Sequence, residues 1–123
     1  MRQLLLVFIG GGLGSISRYI ISKWMNNPET GIPYGTFLVN ILGSLFIGLV
    51  LGWASRHNHL NSAAVLLLAT GFCGGFTTFS TFSFENHLLL KSGDWYNFLF
   101  YSFGSFILGF IAVFGGMALS RAL

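Results

Sequence analysis

Apolar residues run almost without interruption along this chain, and the formal charges fall in the gaps between the runs. No Lys, Arg, Asp or Glu lies between Glu29 and Arg56, between Arg56 and Glu85, or between Asp94 and Arg121. Each stretch exceeds the roughly 20 apolar residues that cross a ~30 Å hydrocarbon core as a helix. A fourth run, Gln3 to Ser17, stops at Arg18, and Tyr19 to Trp24 extends it to spanning length. The pattern predicts helices at about 3–24, 34–54, 62–90 and 96–120. Their connections are short, at Asn26-Asn27-Pro28-Glu29, Ser55-Arg56-His57-Asn58-His59 and Lys91-Ser92-Gly93-Asp94, where turn residues and charges coincide. The expected architecture is an all-α integral membrane protein, with residues 1–123 forming a single four-helix transmembrane domain.

Composition agrees. Hydrophobic residues make up 54% and charged residues 7%, against about 25% charged in an ordinary globular domain. Six Lys and Arg face three acids, too few to coat a water-exposed globule and too scattered to attract a polyanion, so no nucleic-acid partner is expected. One Cys excludes a disulfide scaffold, and the aromatic content excludes a disordered segment. Arg2, the apolar stretch at Leu4–Ile9 and the small residues Ser15 and Ser17 resemble a signal peptide. The run of Gly10, Gly11 and Gly12 is unusual for one, and three further spans make cleavage unnecessary.

With four spans both termini share one side. Arg2, Arg56 and Arg121 fall on that side; Lys23, Lys91 and Arg18 fall on or near the other. The Lys/Arg bias that normally fixes orientation is nearly balanced, so the chain could insert both ways and pair antiparallel with itself. A single orientation is the alternative. Small residues recur four apart at Gly10 and Gly14, Gly48 and Gly52, Gly71 and Gly75, and Ser105 and Gly109. Such spacing permits close helix approach in lipid, although Gly is common in membrane helices in any case. Four short helices rarely enclose a hydrophilic path alone, so a two-fold homodimer embedded in lipid is expected.

Polar groups inside a membrane segment are costly and mark function. Thr36, Asn40 and Ser44 are spaced four apart on the second span; Tyr101 and Ser105, with Ser102 beside them, lie on the fourth. The third span holds the densest set, from Gly71 to Phe84. Three glycines within five residues (Gly71, Gly74, Gly75) followed by Thr77 and Thr78 weaken an α-helix at mid-membrane. Irregular backbone is tolerated there only when buried in protein or lining water. A broken helix would release carbonyls able to bind a cation and N–H groups able to bind an anion. An unbroken helix with a close-packing glycine face is the alternative. Phe79 and Phe82 share a helical face; their edges would attract an anion and their faces a cation, unless they simply pack.

The charge inventory narrows the transport class. A proton-coupled exporter needs a deep carboxylate, and Glu85 is the one candidate, towards the end of the third span; Glu29 and Asp94 fall in loops. Hydroxyls and one carboxamide, with Arg18 as the only cation near the interior, suit passive conduction of a small anion. His57, His59 and His87 do not make a metal site, Cys73 reads as packing, and Gly10–Gly14 lacks the strand and domain of a nucleotide loop. No nucleophile–base–acid arrangement points to an enzyme.

Three segments carry a family resemblance: Gly11-Gly12-Leu13-Gly14-Ser15-Ile16-Ser17-Arg18-Tyr19, the stretch from Gly35 through Asn40 to Gly48, and Gly71-Phe72-Cys73-Gly74-Gly75-Phe76-Thr77-Thr78-Phe79-Ser80-Thr81-Phe82. They look like the signatures of the Fluc (CrcB) fluoride channels, in the same order and over the whole chain. Ser15 stands where Ala is more usual. The resemblance implies a fluoride-selective passive channel of the bacterial inner membrane, an antiparallel dual-topology homodimer with two pores that exports cytoplasmic fluoride. It implies a structural Na+ at the dimer centre, held by backbone carbonyls of Gly74 and Thr77 at a break in the third helix. Phe79 and Phe82 would present ring edges to fluoride and Asn40 would donate to it. Thr36, Ser80, Thr81, Tyr101 and Ser105 would form a hydroxyl track, with Thr78 a further contact. Tyr101 and Ser105 are matched by their four-residue spacing alone. Arg18 would lie near the vestibule, and Glu85 matches an acidic position at the far end of the third helix. The rival readings are a dual-topology proton-coupled drug or cation exporter and a membrane assembly subunit with no transport role.

Overall fold

The computed structural model describes residues 1–27, 31–59 and 61–123, so Pro28 and Glu29 of the first expected turn lie outside the described residues. Among the described residues the structure is all-helical, with four apolar helical stretches long enough to cross a membrane: Arg2–Met25, Tyr34–Arg56, Ala63–Lys91 and Trp95–Ser120. They are named here α1 (Arg2–Met25), α2 (Tyr34–Arg56), the pair α3 (63–76) and α4 (Phe79–Lys91), and α5 (Trp95–Ser120).

The third stretch is not uniform. After an N-terminal turn capped by the Ser62 hydroxyl, which accepts the Val65 N–H at 3.3 Å, Leu66–Cys73 is wound as a π-helix. Gly74–Phe76 returns to α geometry. Thr77 (φ −83°, ψ 156°) and Thr78 (φ −149°, ψ 124°) are extended, and α4 begins at Phe79. Two β-branched residues behind consecutive glycines favour this extended step, since both types weaken a helix. Thr78 then starts α4 as its N-cap, its hydroxyl accepting the Thr81 N–H at 3.3 Å. Asp94 caps α5 in the same way through Asn97 N–H at 3.2 Å. Gly31 and Gly93 take positive φ in the connections.

Glycine decides which helices touch. A Cβ on Gly10 would strike the Leu67 carbonyl oxygen, one on Gly14 the Phe72 carbonyl oxygen, and one on Gly75 the Gly11 carbonyl oxygen, so α1 and α3 meet backbone to backbone. Gly48 against Val113 and Gly116 against Leu45 do the same for α2 and α5. The four-residue glycine steps expected at an oligomer contact are therefore used within one chain. They satisfy the small-residue packing that membrane helices need in the absence of a hydrophobic drive. Large apolar side chains instead point outward: Phe8, Phe103, Phe110 and Phe114 are all exposed.

Candidate functional site

The site is built around the extended step. In a continuous helix the Gly74 carbonyl would accept the Thr78 N–H, and the Thr77 carbonyl would accept the Thr81 N–H. Here Thr78 N–H donates to Asn40 Oδ1 at 2.9 Å, and Thr81 N–H is taken by the Thr78 hydroxyl. Asn40 completes the clamp by donating through Nδ2 to the Thr78 carbonyl at 3.3 Å. One carboxamide on α2 thus bonds both the N–H and the C=O of a single non-helical residue. The Gly75 carbonyl receives Arg18 Nε at 3.0 Å and the Ser15 hydroxyl at 3.5 Å. Arg18 therefore rests against the end of α3 and satisfies a helix-terminal acceptor.

Beside the step lies an open groove of about 510 Å³, lined among others by Asn40, Thr77, Phe79, Phe82 and Ser105. Gly74 is on its wall too, with no atom within 4 Å of where its Cβ would be. Phe79 is 72% exposed, whereas Phe82 is buried. The two ring centroids are 6.0 Å apart. Phe82 also meets Tyr101 at 5.1 Å and Phe106 at 5.9 Å with ring planes at 80°. Ser105 supplies the one polar atom of its kind in this region: its Oγ is buried and has no hydrogen-bond partner among the described residues. Thr78 Oγ1 and Ser80 Oγ are 3.5 Å apart, with Ser80 exposed and Thr81 half-buried.

Past Phe82 the surroundings become polar. Glu85 accepts from the Tyr101 hydroxyl at 2.9 Å on one oxygen and from the Thr36 hydroxyl at 3.0 Å on the other. Tyr101 and Thr36 are almost fully buried, at 0% and 1% exposed. A carboxylate can sit among apolar helices only with such charge-assisted donors. Glu85 also borders a second cavity of about 730 Å³, together with Asn26, Lys91 and Asp94. Phe82 lines the first cavity, Glu85 the second, and Tyr101 touches both residues. The order of groups is therefore Ser105 and Asn40, then Phe82, then Tyr101, Glu85 and Thr36. Among the described residues no group of three His, Cys, Asp or Glu side chains could hold a metal ion. His57 and His59 pack on Trp53 instead.

The profile of the CrcB-like protein, Camphor Resistance (CrcB), matches residues 5–117, nearly the whole chain. The chain belongs to the CrcB family. Its similarity to individual CrcB relatives is close. A protein of Gloeothece citriformis is 50% identical over 98% of both chains, and one of Phocaeicola vulgatus is 47% identical over 98% of this chain and all of its own. One of Serratia proteamaculans is 53% identical over 76% of this chain and 73% of its own. Each of the three is named a fluoride-specific ion channel FluC.

Two polar residues of this CrcB chain escaped the sequence argument. Asn86 is buried, donates to the Phe82 carbonyl at 3.0 Å and accepts from the Ser102 hydroxyl at 2.8 Å, which ties α4 to α5. Its signal was available: it is a second intramembrane carboxamide, four residues after Phe82. By sequence Asn26 is no more than a turn residue. Nothing in its spacing announced that its side chain folds back onto Gly35 and Thr36.

Proposed function

We propose that this chain is a fluoride-selective passive channel, an antiparallel dual-topology homodimer with two pores, exporting cytoplasmic fluoride across the bacterial inner membrane. The observation that carries the reading is the Ser105 hydroxyl, buried without a partner on the same groove wall as Phe82. An unpaired buried donor is costly unless something passes that needs it. The relatives named fluoride-specific channels, similar over nearly full length, support it.

Fluoride is small and strongly hydrated, so its water shell must be replaced at every point of a narrow path. Neutral hydroxyls, the Asn40 amide and electropositive ring edges at Phe79 and Phe82 can do this without a deep well, and conduction needs sites weak enough to leave. Thr36, Thr78, Ser80, Thr81 and Tyr101 extend the hydroxyl track, Glu85 stands at the end of it, and Arg18 lies towards the vestibule. Fluoride enters acidified cells as neutral HF and ionises in the cytoplasm; the negative membrane potential then drives the anion out through a selective pore. Near-balanced Lys/Arg across the membrane supports insertion in both orientations.

The extended step at Thr77 and Thr78 serves in this reading as a mid-membrane break. The Gly74 and Thr77 carbonyls are among those that lose their helical donors at this step, and such hard, uncharged oxygens suit Na+. They fit a structural cation, and two copies of the pair facing each other across a dimer would hold it. When bound, Na+ supplies positive charge and rigidity at the break; Asn40 and Thr78 set the backbone that offers the oxygens.

The test is fluoride efflux from liposomes holding the purified protein, read with an electrode, with chloride and a Phe82→Ile variant in parallel. Fast fluoride efflux, no chloride efflux and a crippled variant are expected. Fast efflux with an unaffected variant would move the pore away from Phe82. Silence for both ions from well-folded dimers would sink the channel and direct attention to an exporter centred on Glu85.

A further inference from the structure

We propose that Asn26 is a positioning residue for the pore: it sets the direction of the Thr36 hydroxyl and thereby holds Glu85 in place. The proposal rests on the channel reading above. Asn26 follows the last turn of α1, where its N–H bonds the Ser22 carbonyl at 2.9 Å. Its side chain reaches across to the start of α2. Oδ1 accepts the Gly35 N–H at 2.7 Å and the Thr36 N–H at 3.2 Å. Two backbone donors on one atom fix the amide orientation, since only the oxygen can accept. The nitrogen must then face Thr36, and Nδ2 donates to Thr36 Oγ1 at 3.2 Å.

A hydroxyl carries one proton. With an amide donor on its oxygen, Thr36 is left to donate, and its proton goes to Glu85 Oε2 at 3.0 Å. Tyr101 donates to Oε1. The carboxylate is thereby held by helices α2 and α5, and the α2 contact is given its direction by the end of α1. Pro33, which precedes α2, offers no side-chain cap, so the two N–H groups depend on Asn26 as well. Gly35 makes the approach possible: a Cβ there would lie 2.7 Å from Asn26 Oδ1 and 2.9 Å from Ser22 Cα. Asn26 and Glu85 line the same 730 Å³ cavity, so the network sits where the pore meets that cavity.

Asn26→Asp separates the two duties. The carboxylate still accepts both N–H groups, but it cannot donate to Thr36 and competes with Glu85 for the Thr36 proton. We expect monodisperse protein and fluoride efflux reduced about tenfold in liposomes, the equivalent of one hydrogen bond to a charged group. In a Thr36→Val background, where no relay exists, Asn26→Asp should slow efflux no further. Wild-type efflux from Asn26→Asp would overturn the proposal and leave Asn26 a cap only. Equal slowing on both backgrounds would also overturn it, because simple charge repulsion of fluoride acts without Thr36. The 13C shift of the Glu85 carboxyl tests the relay without flux: Asn26→Asp should move it in the wild-type background and not in Thr36→Val. An unmoved shift overturns the proposal even where the wild type conducts. A moved shift in a wild type that passes no fluoride upholds the relay and rejects only the channel.

Discussion

Two serines three residues apart on α5 should respond to alanine with opposite signs. Ser105 Oγ is buried with no partner, whereas Ser102 Oγ donates to Asn86 Oδ1 at 2.8 Å. A buried hydroxyl without a partner costs about 1–3 kcal/mol, so Ser105→Ala removes a liability and should stabilise the folded chain by about 1 kcal/mol. Ser102→Ala instead leaves the buried Asn86 oxygen unpaired. Interhelical hydrogen bonds in membranes average about 0.6 kcal/mol, so its loss should be about 1 kcal/mol, at the lower end of the range for soluble proteins. Alanine's better helix propensity, about 0.5 kcal/mol, is common to both variants and cancels in their difference. That difference, about 2 kcal/mol, is the measured quantity, taken from unfolding of the two purified variants in one detergent. Fluoride efflux from Ser105→Ala should fall although the protein is more stable, because the donor is gone from the groove. A Ser105→Ala protein destabilised as much as Ser102→Ala would refute the reasoning, since the hydroxyl would then have a partner. A stabilised variant with undiminished efflux would remove Ser105 from the fluoride path.

The remaining predictions concern the extended step and the helix contacts. Asn40→Leu strands the Thr78 N–H and C=O and should cost about 2 kcal/mol in the same unfolding assay, while Ser44→Ala, which loses only a bond to the Asn40 carbonyl of its own helix, should change little. Gly14→Ala would bring a Cβ within 2.8 Å of Phe76 N and 3.0 Å of Phe72 C, with backbone that cannot rotate away. It should destabilise by about 1–3 kcal/mol, whereas Gly12→Ala, with nothing within 4 Å, should gain about 0.5–1 kcal/mol of helix propensity; equal stability of the two would disprove the close contact. Replacing Na+ by choline throughout purification should lower the thermal midpoint of the wild type, by mass action on a cation bound only to the folded form, and restoring Na+ should raise it. An unchanged midpoint over a hundredfold range of Na+ would count against a bound cation.

Much of the frame was legible from charge spacing alone. A charge in hydrocarbon is so unfavourable that the three charge-free gaps mark three of the four apolar helices, and the first helix was legible as an apolar run continued past Arg18. The third span was legible only as composition: glycines followed by threonines weaken an ordinary helix yet leave an unbroken one open, while the backbone is π-wound to Cys73 and extended at Thr77 and Thr78. The purpose of the glycine steps was not legible. Gly10 and Gly14 carry the same spacing whether the neighbour is α3 or another chain, and only the packed structure shows them against Leu67 and Phe72.

The sequence by itself determined the solvent, the number of apolar helices and the kind of polar group inside them, because these follow from transfer energies that act residue by residue. Tertiary structure alone decided the partners. Asn40 is a donor to any eye, but its bonds to both ends of Thr78 depend on where α2 lies relative to a segment 38 residues away. Ser102 and Ser105 are chemically identical, yet one is satisfied by Asn86 and the other is buried with no partner among the described residues. Asn26 and Glu85 are far apart in the chain and joined only through Thr36. Hydrogen bonds are short-ranged and directional, so their meaning arises only once separate helices have been fixed against one another.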